Sequence, residues 1–364
     1  MNALDPYQTA AAQTTATRVL VTASPGTGKT STLVARIQYM IEHDRLSPSR
    51  IVAITFTRNA AKELRDRLGD SAKGAYIGTL HAFCLRMLME YGKALGYEAD
   101  WLTIIPDEDA LLDMKEVLDQ LGMITRKPGG QYDWKRIGAK RWDRFWTGVT
   151  SGQITRSPDI DQPIENAVAT IPGIPDETLA LCWQAWDAII ARFRAQNTLT
   201  FGTLLTEAYH LLDDLKTLNY FRDRYRHFLL DEAQDSSKQE WSIIWRLLEK
   251  AEPSTMFAVG DDWQAIYGWR GAAPSIMVNL AKDPSWTVFN LAKSYRFGPG
   301  IAEPALRLIR HNKERIDKEL IPCGPTPGTA TAIRDMTLED VADLIQGIAN
   351  AKLRDAGESS VEQH

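Results

Sequence analysis

The stretch from Arg18 to Thr32, R-V-L-V-T-A-S-P-G-T-G-K-T-S-T, leaves a chain like this few folds to choose from. A short apolar run reads as a buried strand, and the turn after it carries Gly26 and Gly28. Lys29 and Thr30 then open a segment whose Leu33, Ile37, Met40 and Ile41 recur at helical spacing. Strand, tight turn and helix in that order begin an α/β domain. The turn also has a chemistry. Glycines let backbone N–H groups converge and a helix N-terminus adds a positive dipole end, so the corner suits a polyphosphate. Lys29 would reach the β/γ-phosphates, and the Thr30 hydroxyl would hold Mg2+. The pattern G-x-x-x-x-G-K-[ST] is met except that Ala23 stands where the first glycine belongs, and alanine resists φ > 0. An ordinary corner with a surface lysine is the alternative.

A chain of 364 residues has room for two or three subdomains. No apolar run approaches a membrane span and the N-terminus lacks a signal peptide's regions, so a cytoplasmic protein with no membrane partner is expected. Cys84, Cys182 and Cys323 are far apart and read as buried free thiols. The net charge of −5 gives no global attraction to nucleic acid, so any such binding has to come from a local groove and from stacking.

Ahead of the turn, L-D-P-Y-Q reads as Asp5 capping a short helix with Pro6 at its first position, and Gln8 on it could reach an adenine edge. R-I-V-A-I-T-F-T followed by N-A-A-K-E-L-R-D-R-L is a second β-α unit. It puts Phe56, Thr57, Arg58 and Asn59 at a strand's carboxyl end, where ligands bind in open α/β sheets. A third unit places Thr79 and His81 likewise. From about Tyr97 to Asn197 the rhythm stops, and a tryptophan-rich, helical pattern reads as an inserted subdomain. Within it, R-K-P-G-G-Q-Y-D-W-K-R-I-G-A-K-R-W-D-R-F-W mixes basic residues with aromatics; a single-strand binding surface and a packed core with a solvated face both fit.

The sheet resumes at H-F-L-L-D-E-A-Q-D, which delivers Asp231 and Glu232 to a strand end. Beside a phosphate loop, Asp231 would hold Mg2+ through water and Glu232 would act as general base. T-M-F-A-V-G-D-D-W-Q-A-I-Y-G-W-R-G-A then presents Asp261, Gln264, Tyr267, Trp269 and Arg270 close together. Gln264 can sense a γ-phosphate and Trp269 can stack on a base, with core packing as the alternative for both aromatics. T-V-F-N-L-A-K-S-Y-R-F begins another unit, where Arg296 can serve as a finger on the γ-phosphate. A strand, T-A-T-A-I-R, and a last helix are expected beyond a Pro/Gly-rich linker.

Taken together, L-D-P-Y-Q, A-S-P-G-T-G-K-T, I-T-F-T-R-N-A-A-K-E-L, G-T-L-H-A-F, L-L-D-E-A-Q-D, V-G-D-D-W-Q-A-I-Y-G-W-R-G-A and S-Y-R-F resemble the UvrD/Rep/PcrA family of superfamily I DNA helicases. The resemblance implies an α/β fold: a RecA-like P-loop NTPase domain with helices on both faces of a parallel sheet. Its first part would span 1–96, a helical insertion 97–200, its second part 201–282, and the start of an incomplete second RecA-like domain 283–364. It implies a phosphate loop of Ala23, Ser24, Pro25, Gly26, Thr27, Gly28, Lys29, Thr30 and Ser31, with Gln8 on adenine and Mg2+ held by Thr30 and Asp231. Lys29, Asp231, Glu232, Gln264 and Arg296 would carry out ATP hydrolysis. Phe56, Thr57, Asn59, Thr79, His81, Tyr267, Trp269 and Arg270 would lie along single-stranded DNA or at a junction with duplex.

The implied activity is ATP-dependent 3′–5′ translocation, in repair, replication or phage-related metabolism. Nothing after Arg296 matches the family's later motifs, so unwinding by this chain alone is expected to be weak or absent. A truncated form, an enzyme completed by a second polypeptide and a repurposed regulatory module all fit. The alternative of a different class is a non-catalytic module that uses ATP and DNA to dock a partner.

Overall fold

The computed structural model describes residues 3–98, 101–150, 173–248 and 254–328, so the strand and helix expected after the Pro/Gly-rich linker lie outside the described residues. The chain opens with α1 (Pro6–Ala12), then alternates β1 (Arg18–Ala23), α2 (Lys29–Glu42), β2 (Ile51–Ile54), α3 (Arg58–Leu68), β3 (Tyr76–Gly78) and α4 (Leu80–Tyr91). An insertion follows: β4 (Thr103–Ile104), α5 (Asp107–Gln120), β5 (Ile124–Arg126), β6 (Tyr132–Trp134), α6 (Ala139–Thr150), α7 (Asp176–Gln196) and β7 (Thr198–Leu199). The first body resumes with α8 (Phe201–Leu211), α9 (Leu215–Arg224), β8 (His227–Leu230), α10 (Lys238–Leu248), β9 (Thr255–Gly260), α11 (Pro274–Leu280) and β10 (Thr287–Leu291). After these come β11 (Lys293–Ser294), α12 (Pro299–Ile309) and β12 (Ile321–Pro322).

The central sheet has the order β10-β1-β9-β8-β2-β3, with every neighbouring pair parallel. Its inner strands are largely apolar and buried almost throughout because helices cover both faces. Alternate residues feed alternate cores. Val19, Val21 and Ala23 of β1 pack with Leu33 and Ile37 of α2 and Leu64 of α3, whereas Leu20 joins Phe83 of α4 and Trp241 of α10 on the other face.

One boundary and the make-up of the insertion differ from expectation. β10 lies within 283–364, yet it forms the edge of the first sheet, with Val19 opposite Thr287 and Ala23 opposite Leu291, so that sheet runs through residue 291. As an edge strand it leaves Thr287 and Val288 exposed, which hides its membership from a reading by hydrophobic pattern. The insertion is also not purely helical. β5 and β6 form an antiparallel hairpin whose turn needs positive φ at Gly129 (97°) and Gly130 (83°), the role of the K-P-G-G sequence.

The insertion has its own core, built on Met114, Trp142, Phe145, Cys182, Trp186 and Phe193. At its base β4 and β7 pair in parallel, and the buried Glu207 accepts from Tyr97 Oη (2.8 Å) and from Arg194 Nε (2.7 Å). Cys84 and Cys182 are buried as expected, but Cys323, just past β12, is exposed. Among the described residues no helix is long and apolar enough to cross a membrane.

Candidate functional site

The loop between β1 and α2 turns on Gly26 (φ 77°) and Gly28 (φ 82°). Both are closed to side chains by their neighbours as well as by their backbone: an added Cβ would strike Cβ of Arg296 at the first and Nε2 of Gln8 at the second. Ala23 stays in extended strand at the buried end of β1, so the alanine there meets no positive φ and the loop forms without the first glycine. The Thr27 N–H and hydroxyl both donate to the Ser24 carbonyl, at 3.3 and 2.8 Å. Gln8 braces the loop, with Nε2 donating to the Thr27 carbonyl at 3.0 Å and Oε1 accepting from the Asp5 N–H at 3.0 Å. Ser31 Oγ is 3.4 Å from the Arg67 guanidinium.

Ser24 Oγ is buried with no hydrogen-bond partner. This orphaned hydroxyl, the opened backbone at Gly26 and Gly28, and Lys29 and Thr30 at the helix N-terminus fit a polyphosphate with its Mg2+.

At the end of β8 the chain must turn at once to bring a second carboxylate to the loop. Glu232 does so in the left-handed region (φ 50°, ψ 48°), which costs a non-glycine residue about 1 kcal/mol or more. The result is an ion pair between Lys29 Nζ and Glu232 Oε2 at 2.7 Å. Asp231 beside it is only 6% exposed, and its carboxyl is pushed up to about 6 by burial first and by the Glu232 charge second, against the pull of Lys29. Burial and Glu232 likewise push Asp235 up to about 6. Gln234, which the sequence reading passed over, links these groups: its Nε2 donates to Glu232 Oε2 (3.0 Å) and Asp235 Oδ2 (3.2 Å), and its Oε1 accepts from the Asp261 N–H (2.9 Å). Its position inside D-E-A-Q-D was the available signal.

A carboxyl whose folded pKa exceeds its unfolded value near 4 destabilises the fold once ionised. The Asp231 penalty is absent below about pH 4, grows as pH rises toward about 6, and is full above that. Asp231→Asn is therefore expected to stabilise the nucleotide-free protein at pH 7 by about 1–3 kcal/mol and to leave its stability nearly unchanged at pH 4. Thermal melts at the two pH values check this; an equal shift at both would reject the assignment.

A cleft of about 330 Å3 runs from Asp231 past Phe56, Thr79, His81 and Phe201 to Arg270. Phe56 stacks on Tyr267 (centroids 5.1 Å apart, 28° between planes), Tyr267 meets Trp269 at 6.2 Å, and the Arg270 guanidinium lies 5.5 to 5.8 Å from all three rings. Trp269 is 74% exposed, so core packing does not account for it. His81 is held below its usual pKa by burial and then by Arg270, and its Nδ1 lies 3.9 Å from Glu240. The Thr57 and Thr79 hydroxyls cap α3 and α4. Asn59 stands apart, in a shallow depression with Lys62, Glu63, Asp66 and Arg67. Among the described residues, the charged side chains lining the cleft are Asp107, Asp231, Asp235, Glu240 and Arg270, a balance that favours ring stacking over phosphate attraction.

The aromatics of the insertion's basic stretch pack on its core, whereas Arg126, Lys127, Lys135, Arg136, Lys140, Arg141 and Arg144 are exposed. Trp142 and Phe145 are buried, Trp134 and Trp146 are half-buried against the same cluster, and Lys127 and Lys135 pair with Asp133. Gln264 donates through Nε2 to Asp261 Oδ2. Arg296 is delivered to the phosphate loop by its neighbours: Ser294 Oγ donates to the Pro25 carbonyl (2.7 Å), the Tyr295 N–H to the Gly26 carbonyl (3.0 Å) and Tyr295 Oη to Asp5 Oδ2 (2.9 Å).

A family model described as the UvrD/REP helicase N-terminal domain matches residues 4–285. The chain is 30% identical over 351 residues to the ATP-dependent DNA helicase PcrA of Leuconostoc citreum, covering 94% of this chain and 44% of that protein. It is 29% identical over 356 residues to the ATP-dependent DNA helicase PcrA of Staphylococcus epidermidis, covering 95% and 46%. For the protein of the same name from Staphylococcus aureus the identity is 27% over 352 residues, covering 95% and 45%. The chain thus spans somewhat under half the length of these curated relatives.

Proposed function

This chain belongs to the UvrD/REP helicase family, and from that premise we propose that it binds ATP with Mg2+ and hydrolyses it in response to single-stranded DNA. The observation that carries the reading is the Lys29–Glu232 ion pair at 2.7 Å, with the buried Asp231 beside it. Lys29 and Glu232 pair with each other. Arrival of a triphosphate gives Lys29 a stronger partner, releasing the Glu232 carboxylate to orient the attacking water and accept its proton. Mg2+, held by Thr30 and Asp231, would neutralise charge on the β/γ-phosphates. Its field would also keep Asp231 ionised despite burial.

Gln264 and Arg296 would meet the γ-phosphate from the loop after β9 and the segment after β11. Trp269 and Arg270 follow Gln264 on the same short loop, so closure on a γ-phosphate would alter the aromatic platform on which a base rests. Stepping would proceed 3′ to 5′. The relatives are about twice as long, and unwinding is proposed to need more than these residues.

Phosphate release measured with and without a single-stranded oligonucleotide tests this. Stimulation by DNA that Lys29→Ala and Glu232→Gln both abolish supports hydrolysis; nucleotide binding with no turnover under either condition overturns it in favour of a docking module.

A further inference from the structure

Lys318 lies in the segment after α12, and its side chain is fully buried, although R-I-D-K-E-L looks like solvent-facing sequence. A buried ammonium is tolerated only when paired and hydrogen-bonded. Its Nζ donates to Asp261 Oδ1 (2.5 Å), to Asp262 Oδ1 (2.8 Å) and to the Ala23 carbonyl (3.2 Å), and stands 4.5 Å from the centre of the Trp263 ring. All three donors of the ammonium are used. The same segment is held twice more: the Ile316 N–H donates to Asp262 Oδ2 (2.8 Å), and Trp263 Nε1 donates to the Ile316 carbonyl (3.1 Å). One cation therefore joins the last residue of β1, where the phosphate loop starts, to the loop that bears Gln264.

Asp261 is the pivot. It is wholly buried; Oδ1 accepts from Lys318 and from the Trp263 N–H, and Oδ2 accepts from Gln264 Nε2. Its own N–H donates to Gln234, whose amide nitrogen reaches Glu232. We infer that Lys318 is a positioning residue of the nucleotide site: by fixing Asp261 it sets Gln264 for the γ-phosphate. This rests on the hydrolytic reading above and adds to it a control element, because turnover then depends on how the segment from Arg310 to Pro322 is seated.

The test uses the full chain with Lys318→Met, and with Lys318→Met/Asp262→Asn, which leaves less unpaired charge buried. ATP turnover with saturating oligo-dT is measured alongside equilibrium affinities for ADP and a non-hydrolysable ATP analogue. Misplacing Gln264 is expected to lower kcat by roughly 10- to 100-fold in both variants, with affinity for ADP changed less than about 3-fold. Preference for the triphosphate analogue over ADP falls by about 10-fold, and on a Gln264→Ala background Lys318→Met adds less than about 2-fold, because the two act through one path. Losses that multiply on that background, or ADP affinity falling as far as analogue affinity, overturn the inference. So does failure of both variants to fold, since the cation would then be purely structural. A wild-type chain that binds neither nucleotide sinks the hydrolytic reading itself; one that binds both without turnover defeats hydrolysis alone, and the analogue-to-ADP preference still decides the role of Lys318.

Discussion

Glu232→Gln is expected to lower DNA-stimulated phosphate release by about 10²- to 10⁴-fold, the usual contribution of a positioned general base, while nucleotide affinity holds or rises. The amide keeps the shape and can still accept from Gln234, but it no longer takes a proton and no longer competes with the phosphates for Lys29, the partner of Glu232 at 2.7 Å. Lys29→Ala should cost turnover on a similar scale through a different parameter, because the ammonium is needed for the triphosphate itself and nucleotide affinity falls with it. Single-turnover phosphate release and equilibrium nucleotide binding separate the two. If Glu232→Gln retained more than about a tenth of wild-type turnover, another group would have to be the base.

Trp269→Ala is expected to weaken single-stranded DNA binding by about 1–3 kcal/mol, roughly 5- to 150-fold, with ATP affinity unchanged in the absence of DNA. The ring is largely exposed and leans on Tyr267 and Arg270, so its loss opens no cavity in the core, and the thermal melt should move little. The expected size of the effect follows from the rest of the cleft, whose lining among the described residues supplies carboxylates at Asp107, Asp231, Asp235 and Glu240 against the cation of Arg270. With little phosphate attraction there, stacking carries a larger share of the grip. Titration of a fluorescent oligonucleotide checks it, and unchanged DNA affinity would leave Trp269 without a role at the strand.

Much of the site was legible because it is encoded locally. The glycines at 26 and 28, the lysine at the head of α2 and the carboxylates ending β8 are each read from a few adjacent residues, and the doubly covered sheet brings the two strand ends together. Where a side chain is set by a neighbour that no local motif marks, the sequence carries no sign of it. Gln234 was visible in D-E-A-Q-D, yet its bridging of Glu232 to Asp261 requires β8 and β9 to be neighbours. Lys318 gave no signal at all, because burial of its ammonium depends on residues 57 and 56 positions earlier in the chain. Trp142 and Trp186 of the insertion and Trp269 look alike in sequence; the first two fill a core and the third faces solvent.

Short-range sequence thus specified the strand–loop–helix corner and the carboxylate pair, since turn geometry, helix phase and strand burial depend on residues within a few positions of one another. Packing alone decided that β10 closes the first sheet, that Trp269 is exposed, and that a lysine beyond α12 anchors the loop of Gln264. Those outcomes follow from which surfaces exclude water together, and no local pattern carries that information.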